Sequence, residues 1–168
     1  MPCNCGKKAP DYPRTYNWGP PMWSILHYLS VRVGGYAVPS YVNDEKFIWA
    51  QIFPLLPSIV PCPECREHLT TWMKARPVNE WATIEAGARK EWLMTYFYDL
   101  HEAVNQRLGK PSYDKTRLLE AYGALPLRNI LNQLKPFMDI AIRQSGITLL
   151  PWQRVHTHIL HLLSIYGV

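Results

Sequence analysis

Apolar residues recur at helical spacing along nearly the whole chain, and no alternating strand pattern of useful length appears. That periodicity confines the fold to helix packed on helix. Trp23, Leu26, His27 and Ser30 stand at i, i+3, i+4 and i+7, with Pro20-Pro21 expected in the first turn and Gly34-Gly35 as the stop. A second helix, capped by Asn43 or Asp44, carries Phe47, Ile48, Ile52 and Leu55/Leu56, and Pro54 and Pro57 should shorten its end. The third is expected to open at Cys62 with Pro63 in its first turn and to end before Pro77. The fourth should run from Glu85 to Leu108 and stop at Gly109-Lys110-Pro111. Beyond Tyr113 come a short helix to Tyr122 and two more opened by Pro126 and Pro151, the first bent by Pro136.

Residues 1–17 show no apolar period and read as a flexible arm. Residues 18–122 read as one helical domain, and 123–168 as a helical extension that must cover its apolar faces on the core or on a second subunit, the subunit interface being favoured. With 168 residues, 48% of them hydrophobic, the chain suits a single domain. A net charge of +5 without a basic stripe argues against nucleic-acid binding. No run approaches the ~20 apolar residues of a membrane span. The start MPCNCGKKAPDYP lacks the apolar core of a signal peptide, so a soluble, unprocessed chain is expected.

The 4 cysteines fall in two close pairs, Cys3/Cys5 and Cys62/Cys65. In Pro61-Cys62-Pro63-Glu64-Cys65 the C-x-x-C sits where a helix begins, and the helix dipole there favours thiolates. By spacing alone the motif is a redox pair, a zinc half-site or two buried small residues. Zinc would need further ligands from Cys3/Cys5 or the histidines. A thioredoxin-like site would need a strand before the motif, and none is legible. On the fourth helix His101, Val104, Asn105 and Leu108 share one face, which suits either a ring system with polar edges or a core face with one satisfied histidine. His156, His158 and His161 read as ordinary surface or core histidines, so no metal site is expected. There is no G-x-G-x-x-G turn, which argues against a Rossmann-type nucleotide site.

Taken together, Trp18-Gly19-Pro20, Trp23 with Leu26-His27, Pro61-Cys62-Pro63-Glu64-Cys65, and His101, Val104-Asn105 and Leu108-Gly109-Lys110-Pro111 followed by Tyr113 resemble the Erv/ALR family of FAD-linked sulfhydryl oxidases. The order and spacing of the blocks match, and the short form is most similar to versions encoded by large DNA viruses.

The resemblance implies an all-α fold, a four-helix bundle plus a short fifth helix around FAD, usually as a homodimer. It implies catalytic Cys62 and Cys65, with Cys65 beside the flavin and Cys62 outside, meeting protein thiol substrates, and oxygen as acceptor. Trp18, Gly19, Trp23, His27, His101, Val104, Asn105, Leu108, Lys110 and Tyr113 would bind the cofactor. Cys3 and Cys5 would form a mobile shuttle pair. A viral relative of this kind would work in host cytoplasm or virion. Two features depart from the pattern: Glu102 stands where the family usually has Asn, and the family core does not explain residues 123–168. The rival reading is a non-catalytic zinc-binding interaction module built on Cys3, Cys5, Cys62 and Cys65.

Overall fold

A computed structural model describes residues 9–168. Seven α-helices and several short 3-10 turns account for the regular structure of the described residues, with no strand among them, as the periodicity requires. They are α1 (Thr15–Arg32), α2 (Val42–Ile52), α3 (Pro63–Ala75), α4 (Arg89–Arg107), α5 (Leu118–Tyr122), α6 (Leu127–Arg143) and α7 (Leu149–Ile165). None of the described helices is long and apolar enough to cross a membrane.

The axis of the fold is α1. Every residue from Ile25 to Val31 is buried, which a helix achieves only when neighbours enclose it on several sides. Those neighbours are α4, α5 and α6, while α7 lies against α2. Beside them, Trp49, Phe53, Trp81, Trp92, Tyr96 and Phe97 pack edge-to-face and tilted into an aromatic cluster at the α2–α4 junction.

Several boundaries differ from expectation for local reasons. Helix α1 starts at Thr15, because the Asn17 side chain accepts the Arg14 N–H at 2.8 Å. Pro20 and Pro21 therefore lie inside the helix rather than in its first turn, where each removes one backbone bond. The expected arm is also shorter at its C-terminal side. Tyr12 is 3% exposed, belongs to the hydrophobic core and donates its hydroxyl to Pro61 O at 2.7 Å. Helix α4 opens at Arg89, since the preceding segment is taken up by 3-10 turns Val78–Ala82 and Ala86–Ala88 around the buried Trp81.

The extension covers its apolar faces within its own chain. Leu127, Leu131, Leu134, Met138 and Ala141 of α6 and Trp152, Val155, Ile159 and Leu162 of α7 belong to the same buried cluster as α1 and α2. The favoured subunit-interface placement is thus not where these faces go. A polar lock fastens the end of α7: the fully buried Glu45 accepts hydrogen bonds from Gly34 N, Tyr36 Oη and Tyr166 Oη at 3.0, 2.7 and 2.7 Å. Burial first, then the bond to Glu45, pushes the Tyr36 phenol up to about 12, so it stays a donor.

Candidate redox centre and cofactor site

Cys62 caps α3, and Pro63 at the first helical position presets the backbone without losing a needed donor. Cys62 and Cys65 are joined by a disulfide, their Cα atoms 5.2 Å apart. The Cys65 N–H donates to Cys62 Sγ at 3.2 Å, so the helix N-terminus is aimed at the Cys62 sulfur and would stabilise a thiolate there.

Exposure runs opposite to the expected order. Cys62 is 2% exposed and ends the buried run Ile59–Val60–Pro61–Cys62, whereas Cys65 lies on the first turn of α3 and is only half-buried. The guanidinium of Arg66, next after Cys65, donates to Val60 O (Nη2, 2.9 Å) and to Gly146 O (Nη2, 2.6 Å). Glu64 meets His68 and Arg107 at 3.7 Å each, tying α3 to the end of α4. Cys3 and Cys5 lie outside the described residues.

The second half of the site is an aromatic stack between α1 and α4. Trp23 lies flat on His101, ring centroids 4.0 Å apart and planes 5° from parallel, and His27 Nε2 is 2.9 Å from His101 Nδ1. Tyr122, at the end of α5, packs on His27 at 4.6 Å. Sequence reasoning missed Tyr122; its only signal was an aromatic residue at the end of the short helix.

Burial pushes His27 down to about 3, assisted by the neighbouring His101, and pushes His101 to about 4. Both rings are therefore neutral at pH 7, and the shared bond occupies one nitrogen of each. Two buried ring nitrogens of α1, Trp18 Nε1 and His27 Nδ1, have no hydrogen-bond partner among the described residues. Flat apolar surface with a few unsatisfied polar points is the donor set that suits a planar cofactor with polar edges.

The depressed values set a pH dependence of stability. Unfolded histidines take up protons near 6.5, the folded ones only near 3 and 4. The unfolded state thus binds more protons as pH falls below 6.5, and the stabilisation present above that value is progressively lost. A thermal-unfolding series should show the midpoint falling steadily from pH 7 to pH 4 in wild type. In a His27→Phe/His101→Phe double variant that slope should flatten.

The other residues of the matched blocks are distributed along α1, α4 and the loop after α4. Gly19 is part-buried, and beyond its chain neighbours and the nearby backbone of α1 a Cβ there would meet no described atom within 4 Å. Val104 and Leu108 are half-buried, Asn105 is buried, and Lys110 is exposed. Gly109, at φ +66°, ends α4: its N–H donates to Gln106 O and that of Lys110 to Asn105 O, at 3.1 and 2.8 Å.

The residue that departs from the family pattern holds the loop after α4. Buried Glu102 accepts from Ser112 Oγ (2.5 Å), Tyr113 N (3.0 Å) and Asn105 Nδ2 (3.2 Å), bonds that hold its carboxyl below the usual range. Tyr98 Oη adds a bond to Tyr113 O at 2.8 Å. The substitution thus turns position 102 into the anchor of the loop that carries Lys110 and Tyr113.

Comparison with known proteins points the same way. The family model described as Erv1 / Alr family matches residues 20–123, more than half of the chain. "Putative FAD-linked sulfhydryl oxidase 347L" of Invertebrate iridescent virus 6 is 27% identical over 94 residues, 56% of this chain and 81% of that protein. "FAD-linked sulfhydryl oxidase ERV1" of Oryza sativa subsp. japonica is 27% identical over 103 residues, 61% of this chain but 47% of the rice protein. "Putative FAD-linked sulfhydryl oxidase 096R" of Invertebrate iridescent virus 3 is 26% identical, over 62% of this chain and 65% of its own length. No solved structure matches the chain.

Proposed function

This chain belongs to the Erv1/Alr family, and from that premise we propose that it is an FAD-linked thiol oxidase that makes disulfides in protein substrates through Cys62 and Cys65. The observation that carries this reading is the Cys62–Cys65 disulfide at the N-terminus of α3, with a helix N–H already on one sulfur.

A substrate thiolate attacks one sulfur of the pair, forming a mixed disulfide and releasing the other as a thiolate. A second substrate thiol, deprotonated, then attacks the substrate sulfur of that mixed disulfide. The substrate leaves oxidised, and Cys62 and Cys65 keep its two electrons as a dithiol. FAD, once bound, would supply the two-electron acceptor that lets the pair return to a disulfide, with oxygen as the final acceptor. Each cycle therefore consumes one dithiol and one oxygen and yields one hydrogen peroxide.

The chain's own residues bind and orient. Trp23 and His101 offer flat ring surface, Trp18 Nε1 and His27 Nδ1 offer hydrogen bonds, and exposed Lys110 offers positive charge for a pyrophosphate. The half-burial of Cys65 leaves part of its surface accessible. We assign Cys65 to the cofactor side on the strength of the resemblance, although the exposures do not favour that order. The homodimer and the Cys3/Cys5 shuttle rest on the resemblance alone.

Purified protein is expected to be yellow, absorbing near 450 nm, and to oxidise small dithiols with stoichiometric peroxide. A colourless protein holding one equivalent of zinc would establish the rival module instead, which neither the family nor the relatives favour. Glu102→Ala removes three accepted hydrogen bonds, each worth about 1 kcal/mol net, and should weaken FAD binding tenfold or more in a fluorescence titration. Cys3→Ser/Cys5→Ser should slow oxidation of protein thiols while leaving small dithiols nearly untouched, since a small reagent needs no intermediary. Equal protein-substrate rates in the variant and wild type would remove the shuttle.

A further inference from the structure

We propose that the turn between α6 and α7, although it lies outside the family core, is part of the redox centre: Gly146, Tyr12 and Arg66 are positioning residues that clamp the backbone on both sides of the Cys62–Cys65 disulfide.

Helix α6 ends in a tight cap. Ser145 takes φ +57°, its N–H donates to Ile142 O and that of Gly146 to Ala141 O, at 3.0 and 2.8 Å, so the position of Gly146 is set by the helix. From there its carbonyl accepts Arg66 Nη2 at 2.6 Å, and the same Nη2 also donates to Val60 O at 2.9 Å. Arg66 is itself in the first turns of α3, its N–H on Cys62 O at 2.9 Å. One guanidinium thus bridges the segment before the cysteines, the helix after the first of them, and the C-terminal extension.

Gly146 also backs Tyr12. A Cβ at Gly146 would overlap Tyr12 Oη and stand 2.6 Å from its Cζ, so glycine is required there for the ring to sit where it does. Seated so, Tyr12 Oη donates to Pro61 O at 2.7 Å, on the peptide that leads into Cys62. Gln144 Nε2 to Asp11 Oδ1, at 2.7 Å, holds the same two segments together outside.

The physical consequence concerns the disulfide's equilibrium. A clamp on Val60, Pro61 and Arg66 is fully made while the cysteines are joined, and a dithiol, which gains from relaxing apart, must give up one of its hydrogen bonds to do so. Restraint therefore favours the disulfide and limits access to Cys62. The clamp itself stands on hydrogen bonds and backbone geometry; its bearing on turnover rests on the oxidase reading.

The test is anaerobic equilibration of the full-length holoprotein with glutathione redox buffers, then acid quench, alkylation and mass counting of free thiols. Tyr12→Phe deletes one hydroxyl, Gly146→Ala displaces the ring, and Arg66→Lys keeps the charge but cannot bridge two carbonyls. Each should make the Cys62–Cys65 disulfide about fivefold easier to reduce, as the loss of one well-made hydrogen bond would. Leu134→Ala, in the buried part of α6, should lower the melting temperature and leave that equilibrium unchanged. Unaltered equilibria in Tyr12→Phe and Gly146→Ala would overturn the clamp. So would a Leu134→Ala shift of equal size, because the coupling would then be global stability. Preserved behaviour in Arg66→Lys with a loss in Arg66→Gln would make charge, not bridging, the agent and would also overturn it. Because thiol counting needs no oxidase turnover, a colourless, inactive protein would refute the oxidase reading while leaving the clamp measurable.

Discussion

Cys62→Ser and Cys65→Ser should each lower dithiol oxidation by about three orders of magnitude or more, because losing one member of a pair that acts as a unit removes the whole electron entry. The flavin should stay bound in both. The proposed cofactor contacts come from α1, α4 and the loop after α4, and serine nearly keeps the size of cysteine, so the buried cluster to which Cys62 belongs should stay packed. The check is oxygen consumption beside a flavin spectrum of each purified variant, and persistent oxidation in both would remove the pair from the mechanism. The same spectra decide the order of the two cysteines. If Cys65 faces the cofactor, its lone thiolate in Cys62→Ser should give a long-wavelength band that vanishes on acidification. A band confined to Cys65→Ser would assign the inner place to Cys62, the order that its 2% exposure suggests.

Truncation after Tyr122 should abolish the soluble fold. It deletes Leu131, Leu134, Met138, Trp152, Ile159 and Leu162, all buried against α1 and α2. Exposing that shared surface forfeits roughly 1.5–3 kcal/mol for each large side chain. A native domain is stable by only about 5–15 kcal/mol, so the loss is comparable to the whole margin. The truncated chain should appear in the insoluble fraction, or soluble without a cooperative thermal transition. A truncated chain that unfolds cooperatively and keeps its flavin spectrum would show that residues 18–122 suffice as a unit.

Much of this was legible in the linear chain because it depends on local chemistry. Helical spacing is a property of neighbours three and four residues apart, so α2, α3, α6 and α7 follow from their own apolar residues, and Pro63 and Gly109 mark a start and a stop by what their backbones permit. The C-x-x-C allowed a redox pair for the same reason, since two sulfurs in one helical turn are within bonding reach, but its spacing alone left a zinc half-site also open. His27 and His101 were both named as site residues through the resemblance, but their direct contact was not readable, since it spans 74 positions.

Tertiary structure decided whatever joins distant segments. Tyr12 looked like part of a loose arm, and only the space beside Gly146 makes it a core residue. Glu102 looked like a defect in a motif until Ser112 and Tyr113 folded back onto it. Burial, the main cause that holds His27 and His101 neutral, cannot be read from a residue's type. The destination of residues 123–168 was undetermined for the same reason. An amphipathic helix states that its apolar face must be covered, and only the packed chain shows that α1 and α2 are what covers it.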